Sequence, residues 1–258
     1  MGRFEGLTVL VTGATGGFGK RTAERLAAEG AMLVLSDLDD ERLDALAASL
    51  DCETATLAGD VSEESLSEGL VQLAVDRFGG LDIAINNAGI AQSYVRLPQV
   101  PCDEARRILE VDLLGVFYAM KHQIPALQKQ FRATKRSGAI VNIASVAGVG
   151  GAPKLSVYAA AKHGVVGLTR SAALEYASHG VRVNAVCPSY ARTHMAQEFI
   201  NAVGLAEEEA LAALTRGVPM KRVAEVDEVV EVILFAADPK NSFMTGHTLA
   251  VDGGVAAL

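Results

Sequence analysis

A strand, a glycine-rich turn, a helix and a second strand follow one another within the first forty residues, and this succession leaves few folds open. Leu7-Thr8-Val9-Leu10-Val11 is short, apolar and rich in β-formers. It runs into Thr12-Gly13-Ala14-Thr15-Gly16-Gly17-Phe18-Gly19, a helical stretch from Lys20 to Glu29 stopped by Gly30, and a second strand, Ala31 to Ser36, ending in Asp37. In such a unit glycines serve phosphate binding. Gly13 permits the tight turn. Gly17 and Gly19 let backbone and helix approach a pyrophosphate seated at the helix N-terminus. A carboxylate at Asp37 can accept both hydroxyls of an adenosine ribose, and it would repel a 2′-phosphate.

The same alternation of apolar strands and helical stretches continues to the end, which argues for a parallel sheet covered on both faces. Strands are expected at about 7–12, 31–36, 53–57, 82–85, 138–144, 181–187 and 247–251, and helices at about 18–29, 40–50, 63–78, 103–131, 155–179 and 225–237. No Pro/Ser-rich linker divides the chain, so residues 1–258 are read as one α/β domain. Two segments fit poorly: Gln92 to Asp103, which is irregular with two prolines, and Ser189 to Pro219, with a short Ala/Glu-rich helix at about 205–215. Both follow the C-terminal ends of strands, where ligands bind in open α/β sheets. The second is long for a loop and reads as a substrate lid over about 189–219.

Half of the 258 residues are hydrophobic, ample for a large core. A net charge of −8 without a Lys/Arg cluster argues against nucleic acid or an anionic membrane as the main partner. No apolar run reaches membrane-spanning length, and Met1 to Gly6 goes straight into the first strand, so no export signal is expected. Cys52, Cys102 and Cys187 are odd in number and far apart, which suits reduced thiols in a cytoplasmic protein. Five scattered His residues show no metal-ligand spacing, and no metal is expected.

The chemistry concentrates at Tyr158 and Lys162, with Ser145 thirteen residues before the Tyr. A Tyr and a Lys four apart on a helix share a face. A phenol, with an ordinary pKa of about 10, exchanges protons poorly at neutral pH, and a neighbouring ammonium lowers that value. A Ser hydroxyl can hold a substrate oxygen against the phenol. The three make acid–base equipment for an alcohol/ketone centre.

The ordered motifs Thr12-Gly13-x-x-x-Gly17-x-Gly19, Asp60-Val61, Asn86-Asn87-Ala88-Gly89, Ser145, Tyr158-x-x-x-Lys162, Asn184, Pro188 with Thr193, and Val251-Asp252-Gly253-Gly254 resemble those of the short-chain dehydrogenase/reductase family over essentially the whole chain. The resemblance implies a Rossmann-type, doubly wound domain with a seven-stranded parallel sheet. It implies that Ser145, Tyr158 and Lys162 are catalytic, with Asp112 at a fourth site. The cofactor is expected to be NAD, held by Gly13, Thr15, Gly17, Phe18, Gly19, Asp37, Leu38, Asp60, Val61, Asn87, Ala88, Gly89, Tyr158, Lys162, Pro188, Ala191 and Thr193. In the family Asp60 meets the adenine with Val61 as apolar neighbour, although Asp60 or Ser62 could equally cap the helix near 63. Asn87 would also brace the sheet. Thr193, with the Ala191 backbone, would hold the nicotinamide carboxamide.

The chain departs from the family pattern at Ser189, where Gly is usual, and at Asp112, where Asn is usual. That Asn interrupts a helix and anchors a water leading to the catalytic Lys. Asp in its place either copies its shape or, as an ionised acceptor without donors, stabilises protonated Lys162. Ser145, Gln92, Tyr94, Val149, Tyr190 and Met195 are expected to meet substrate, with Val95, Ala147, Gly150 and Phe199 nearby. This lining is mostly apolar, and only Arg96 and His194 could supply a cation.

The expectation is therefore an NAD-dependent enzyme interconverting a secondary alcohol and a ketone, with Tyr158 as general acid/base. An acyl-thioester (3-oxoacyl) reductase of the same family, a cofactor-retaining epimerase and a non-catalytic NAD-binding sensor stay open. Apolar residues on more than one face of the two long helices (Leu113, Phe117, Ala160, Val165, Leu168, Ala172 and Leu174) call for a second partner, and the family resemblance implies that these helices pair across one two-fold axis and the last strand packs at another, giving a homo-tetramer.

Overall fold

The computed structural model describes residues 2–193 and 207–257. Seven parallel strands are ordered β3-β2-β1-β4-β5-β6-β7. They are β1 (Thr8–Thr12), β2 (Met32–Ser36), β3 (Thr54–Thr56), β4 (Ile83–Asn86), β5 (Gly138–Ile143), β6 (Val181–Pro188) and β7 (Thr248–Val251). Apart from Met32 at the start of β2, the inner strands are buried along their length, as β5 Gly-Ala-Ile-Val-Asn-Ile and β6 Val-Arg-Val-Asn-Ala-Val-Cys-Pro illustrate. Continuous apolar runs belong to sheets covered on both faces. The edge strands β3 and β7 are only partly buried.

Helices α1 (Gly17–Ala28), α2 (Asp40–Ser49), α3 (Glu64–Phe78), α4 (Cys102–Leu109), α5 (Gly115–Thr134), α6 (Ser156–Tyr176), α7 (Glu207–Thr215) and α8 (Val226–Ala237) connect and cover the strands. One hydrophobic cluster joins Leu26, Leu33, Leu43, Ile85, Ile233 and Leu234 beneath α1, α2 and α8. A second joins Leu10, Leu70, Leu127, Ile140, Val165 and Val183 beneath α3, α5 and α6. Burial of such side chains, each worth about 1.5–3 kcal/mol, is the main force holding helices to sheet. β6 carries one buried cation, Arg182. It donates to the carbonyls of Ala236, Ala237, Asp238 and Met244 and so closes the C-terminus of α8.

Three elements differ from the sequence expectation. The strand expected at 53–57 narrows to Thr54–Thr56 at the sheet edge. The helix expected at 103–131 is two helices joined by a π-turn, Glu110–Leu114, with Asp112 inside it. The helix expected at 155–179 ends at Tyr176 and tightens into a 3-10 turn, Ala177–His179, before Gly180 at φ 76. Of the expected lid, residues 189–193 and 207–219 are described and include α7; Met195, Phe199 and His194 lie outside the described residues.

Strand order reverses between β1 and β4, the switch point at which doubly wound sheets open a crevice at their C-terminal edge.

Candidate active site

At that edge lies a cavity of about 1270 Å³, running from the β1–α1 turn past β4 to the start of α6 and the segment after β6. Its floor begins at the glycine-rich turn. Gly13 has φ +62, and a Cβ there would lie 2.9 Å from both the Ala88 Cα and the Asn87 side chain. A Cβ on Gly19 would stand 2.0 Å from the Gly13 carbonyl, so Gly19 supports the turn from behind and does not line the cavity. α1 starts at Gly17 with Gly16 as an extended N-cap, no side-chain cap and no acidic residue in its first turn. Its first N–H groups are thus presented to the cavity, where an anion would satisfy them.

Asp37 ends β2 facing this turn. Its Oδ2 accepts from Thr15 N at 2.8 Å and Thr15 Oγ1 at 2.7 Å, and its Oδ1 from Leu38 N at 2.8 Å. Asn87 donates to the carbonyls of Thr12 and Gly13, both at 3.0 Å, which ties the end of β4 to the turn. Asp60 accepts from Ser62 N and Oγ and, at 2.5 Å, from Arg107 of α4. Burial pushes its carboxyl up, but Ser62 and Arg107 outweigh that and hold it below the usual carboxylate range. Neither Asp60 nor Ser62 caps α3; its N-cap is Glu63.

The Tyr158 end is assembled from β5, the π-turn and α6. Ser145, just past β5, uses its Oγ to accept from Ala147 N at 3.2 Å. Its hydroxyl also favours the ionised form of the Tyr158 phenol. Lys162 is 4 % exposed, donates to the Ile143 carbonyl at 3.2 Å, and lies 5.5 Å from the centre of the Tyr158 ring. Gly148 makes room for it: a Cβ there would lie 2.7 Å from the Lys162 carbonyl.

Asp112 is fully buried behind Lys162 and outside the cavity lining. Its Oδ1 accepts from Ile90 N at 2.8 Å. Its Oδ2, 3.7 Å from Lys162 Nζ, has no hydrogen-bond partner among the described residues. Burial makes Asp112 harder to ionise, opposed by Lys162 and the Ile90 N–H. Burial also pulls Lys162 down, but the Asp112 charge and Tyr158 more than reverse this, so Lys162 is a firm ammonium. The Tyr158 phenol is pushed up by burial. The Lys162 charge and the Ser145 hydroxyl oppose the rise, and the Asp112 charge adds to it. The sequence led to a lowered phenol; the ammonium acts in that direction, but desolvation is the larger effect.

The segment after β6 is pinned in place. Ser189 N donates to Val251 O at 3.0 Å, Arg192 N to Ala224 O at 3.0 Å, and Ala224 N to Tyr190 O at 2.9 Å. Pro188, Ala191 and Thr193 line the cavity, and Thr193 lies against Gly17, where a Cβ would stand 2.9 Å from its Cγ2. Tyr94, Ala147, Val149, Gly150 and Tyr190 wall the remaining volume, joined by Leu155, Leu214, Val218 and Val255. Val95 and Arg96 do not line it. Gln92 touches the cavity, yet its carboxamide is engaged by the backbone at the start of α6.

Several cavity residues escaped the sequence reading, two of them cations on helices. Arg42 of α2 donates to Thr15 O at 3.2 Å, and Arg107 clasps Asp60. Their only sequence signal was a basic residue on a helix following a strand end, which most surface helices share. Asn184 and Asp252 serve structure: Asn184 accepts from His247 N at 3.0 Å, and Asp252 closes the Gly253-Gly254 turn through Gly254 N and Ala256 N.

A glycine turn at a helix N-terminus, a carboxylate on the cavity wall at Asp37 and a long cavity fit a nicotinamide dinucleotide, with room for a substrate at the Tyr158 end. Known proteins agree. A family model described as enoyl-(acyl carrier protein) reductase matches residues 13–256. The chain is 40% identical over 259 residues, 100% of both chains, to a 2,5-dichloro-2,5-cyclohexadiene-1,4-diol dehydrogenase of Sphingobium indicum. It is 37% identical over 254 residues to a cyclohexanol dehydrogenase of an Acinetobacter species, covering 97% of this chain and 95% of that one. The crystal structure of levodione reductase superposes with a TM-score of 0.93 at 36% identity, covering 98% of this chain and 99% of the other.

Proposed function

Since the chain belongs to the short-chain dehydrogenase/reductase family, we propose that it is an NAD-dependent dehydrogenase of neutral cyclic secondary alcohols, working on the Ser145–Tyr158–Lys162 constellation. The observation that carries this reading is the wall beside Tyr158. Tyr94, Ala147, Val149, Tyr190, Leu214 and Val218 give it an apolar surface with aromatic hydroxyls; of the other cations on the cavity, Arg107 is paired with Asp60 and Arg192 with Glu225, and Arg42 is bonded to the Thr15 carbonyl at the glycine-turn end. A ring-bearing alcohol buries its carbons there, whereas a carboxylate or phosphate would be left unpaired. The named relatives acting on ring alcohols support the same class.

Bound NAD supplies the hydride acceptor. The protein supplies position and proton movement. Ser145 orients the alcohol oxygen and stabilises charge developing on it. Tyr158 takes the hydroxyl proton in oxidation and returns it in reduction. Lys162 holds a positive charge beside the phenol and keeps the phenolate within reach. With the phenol pKa raised, the protonated acid dominates at neutral pH, so ketone reduction is favoured there and alcohol oxidation rises toward alkaline pH. The class is tested by comparing cyclohexanol-type alcohols with 3-hydroxyacyl thioesters under saturating NAD. Higher kcat/KM for the thioesters would replace the cyclic-alcohol reading with the acyl reductase one.

Asp112→Asn is expected to shift the alcohol-oxidation pH profile to lower pH without abolishing activity. The variant removes the negative charge that disfavours phenolate and is 3.7 Å from Lys162. A profile that stays put at unchanged turnover would reduce Asp112 to a shape substitute for Asn.

We further infer a cytoplasmic homo-tetramer. The free thiols of Cys52, Cys102 and Cys187 suit a reducing compartment. Val165 and Ala172 pack inside the chain and do not serve an interface, but Leu114, Phe117, Leu174, Phe235 and Phe243 remain exposed, Leu174 by 87 % and Phe243 completely. Such large apolar groups on α5, α6 and α8 are available to a partner chain. Light scattering should give four times the mass of one chain; the mass of one chain at micromolar concentration would refute the tetramer.

A further inference from the structure

We propose that Gln92 is a positioning residue for the reaction, its carboxamide locking the first turn of the Tyr158 helix to the loop that walls the substrate cavity. The proposal rests on the alcohol dehydrogenase reading of the site and adds a residue to it.

Every helix leaves its first N–H groups without partners inside the helix. At α6 the N-cap position is Leu155, which cannot cap, and no local side chain does so. The partner comes from far along the chain. Gln92 Oε1 accepts from Val157 N at 2.9 Å and from Tyr158 N at 3.0 Å, across 65 and 66 residues. On its other side, Gln92 Nε2 donates to Lys154 O at 3.2 Å and, more weakly, to Ser93 O at 3.4 Å. Gln92 is 4 % exposed, so water does not compete for these bonds.

A carboxamide suits this place because it accepts and donates at once. The acceptor end holds the helix, and the donor end holds the backbone entering it. That entering backbone is constrained, since Lys154 has φ +69. The Gln92 loop is fixed in turn from α4, where Glu104 Oε1 accepts from Ser93 N at 2.6 Å. It also carries Tyr94, whose ring lies 4.5 Å from Lys154 Nζ.

Tyr158 is the third residue of α6, within the turn that Gln92 grips. A tilt of that turn moves the phenol relative to Ser145 on the separately anchored end of β5. Lys162, one turn further on, is held by Ile143 O and beside Asp112, and so keeps its place. Loss of Gln92 should therefore misplace the proton-transfer group while sparing the cofactor site.

The test uses the full chain with Gln92→Met, which preserves volume and removes every bond, and Gln92→Glu, which keeps both acceptor bonds at the helix. Each is assayed at its own optimal pH for alcohol and NAD dependence, and hydrogen exchange is followed at the Val157 and Tyr158 amides. Gln92→Met should lose turnover, roughly 10²-fold for a displacement near 1 Å. Its KM for NAD should be unchanged, and exchange at both amides should be faster. Gln92→Glu should recover most of the turnover and the slow exchange. Wild-type turnover in Gln92→Met, or equal losses in both variants that follow their thermal stability, would overturn the proposal. The exchange measurement needs no substrate: slow exchange in Gln92→Met would overturn it even if the substrate class is wrong.

Discussion

Tyr158→Phe is expected to lower alcohol turnover by about 10²–10⁴-fold, the usual share of a positioned general acid/base, with NAD affinity nearly unchanged. The substitution removes one oxygen. The ring, its place on α6 and the Lys162 ammonium 5.5 Å from its centre all remain. What disappears is the hydroxyl proposed to exchange the substrate proton. Lys162→Ala is a blunter probe. It would leave the Asp112 carboxyl buried without its countercharge, and breaking a buried pair typically costs about 3–5 kcal/mol. Its activity loss would mix catalysis, cofactor binding and folding. NAD affinity by titration, read beside kcat, separates these cases.

Cofactor discrimination has the second largest expected effect. With the same alcohol, kcat/KM with NAD should exceed that with NADP by about 10²-fold or more, since an unpaired phosphate facing a carboxylate costs a few kcal/mol. Asp37 cannot easily turn away, because Thr15 N, Thr15 Oγ1 and Leu38 N hold both its oxygens. Arg42 acts in the opposite sense. Its guanidinium is bonded to the Thr15 carbonyl at the same end of the cavity and could meet a 2′-phosphate once Asp37 is gone. Asp37→Ser should therefore narrow the ratio mainly by improving NADP, and adding Arg42→Ala should remove that gain. Equal efficiency of the wild type with both cofactors would end the assignment of Asp37.

The parts of this molecule that were legible in the sequence are those whose cause is local. The β1–α1 turn shows itself because Gly13 must take φ +62 and because Gly19 has no space for a side chain. The sheet shows itself because strands buried on both faces read as mostly apolar runs, broken here only at Asn142, Arg182 and Asn184. Tyr158 and Lys162 share a helical face by spacing alone. The π-turn at Glu110–Leu114 left no mark in the residue pattern, and only the family resemblance, through the Asn usual at position 112, pointed to a helix interruption there. The same holds for contacts between distant segments. Gln92 sits in the expected cavity, but nothing in its surroundings announces that it caps a helix 65 residues away. Arg107 of α4 meets Asp60 across 47 residues, a contact that no spacing announces. The raised phenol also required the structure: spacing displays the ammonium beside it, whereas desolvation depends on everything packed around it.

The most direct measurement pairs the wild type with Tyr158→Phe, both supplied with NAD and a panel of cyclic secondary alcohols and followed at the nicotinamide absorbance across pH. The expected result is wild-type turnover that rises toward alkaline pH, and loss of that turnover by about 10²-fold or more in the variant. A wild type that reduces NAD with no alcohol, or a variant that keeps pace with it, would contradict proton transfer by Tyr158 as the basis of this protein's activity.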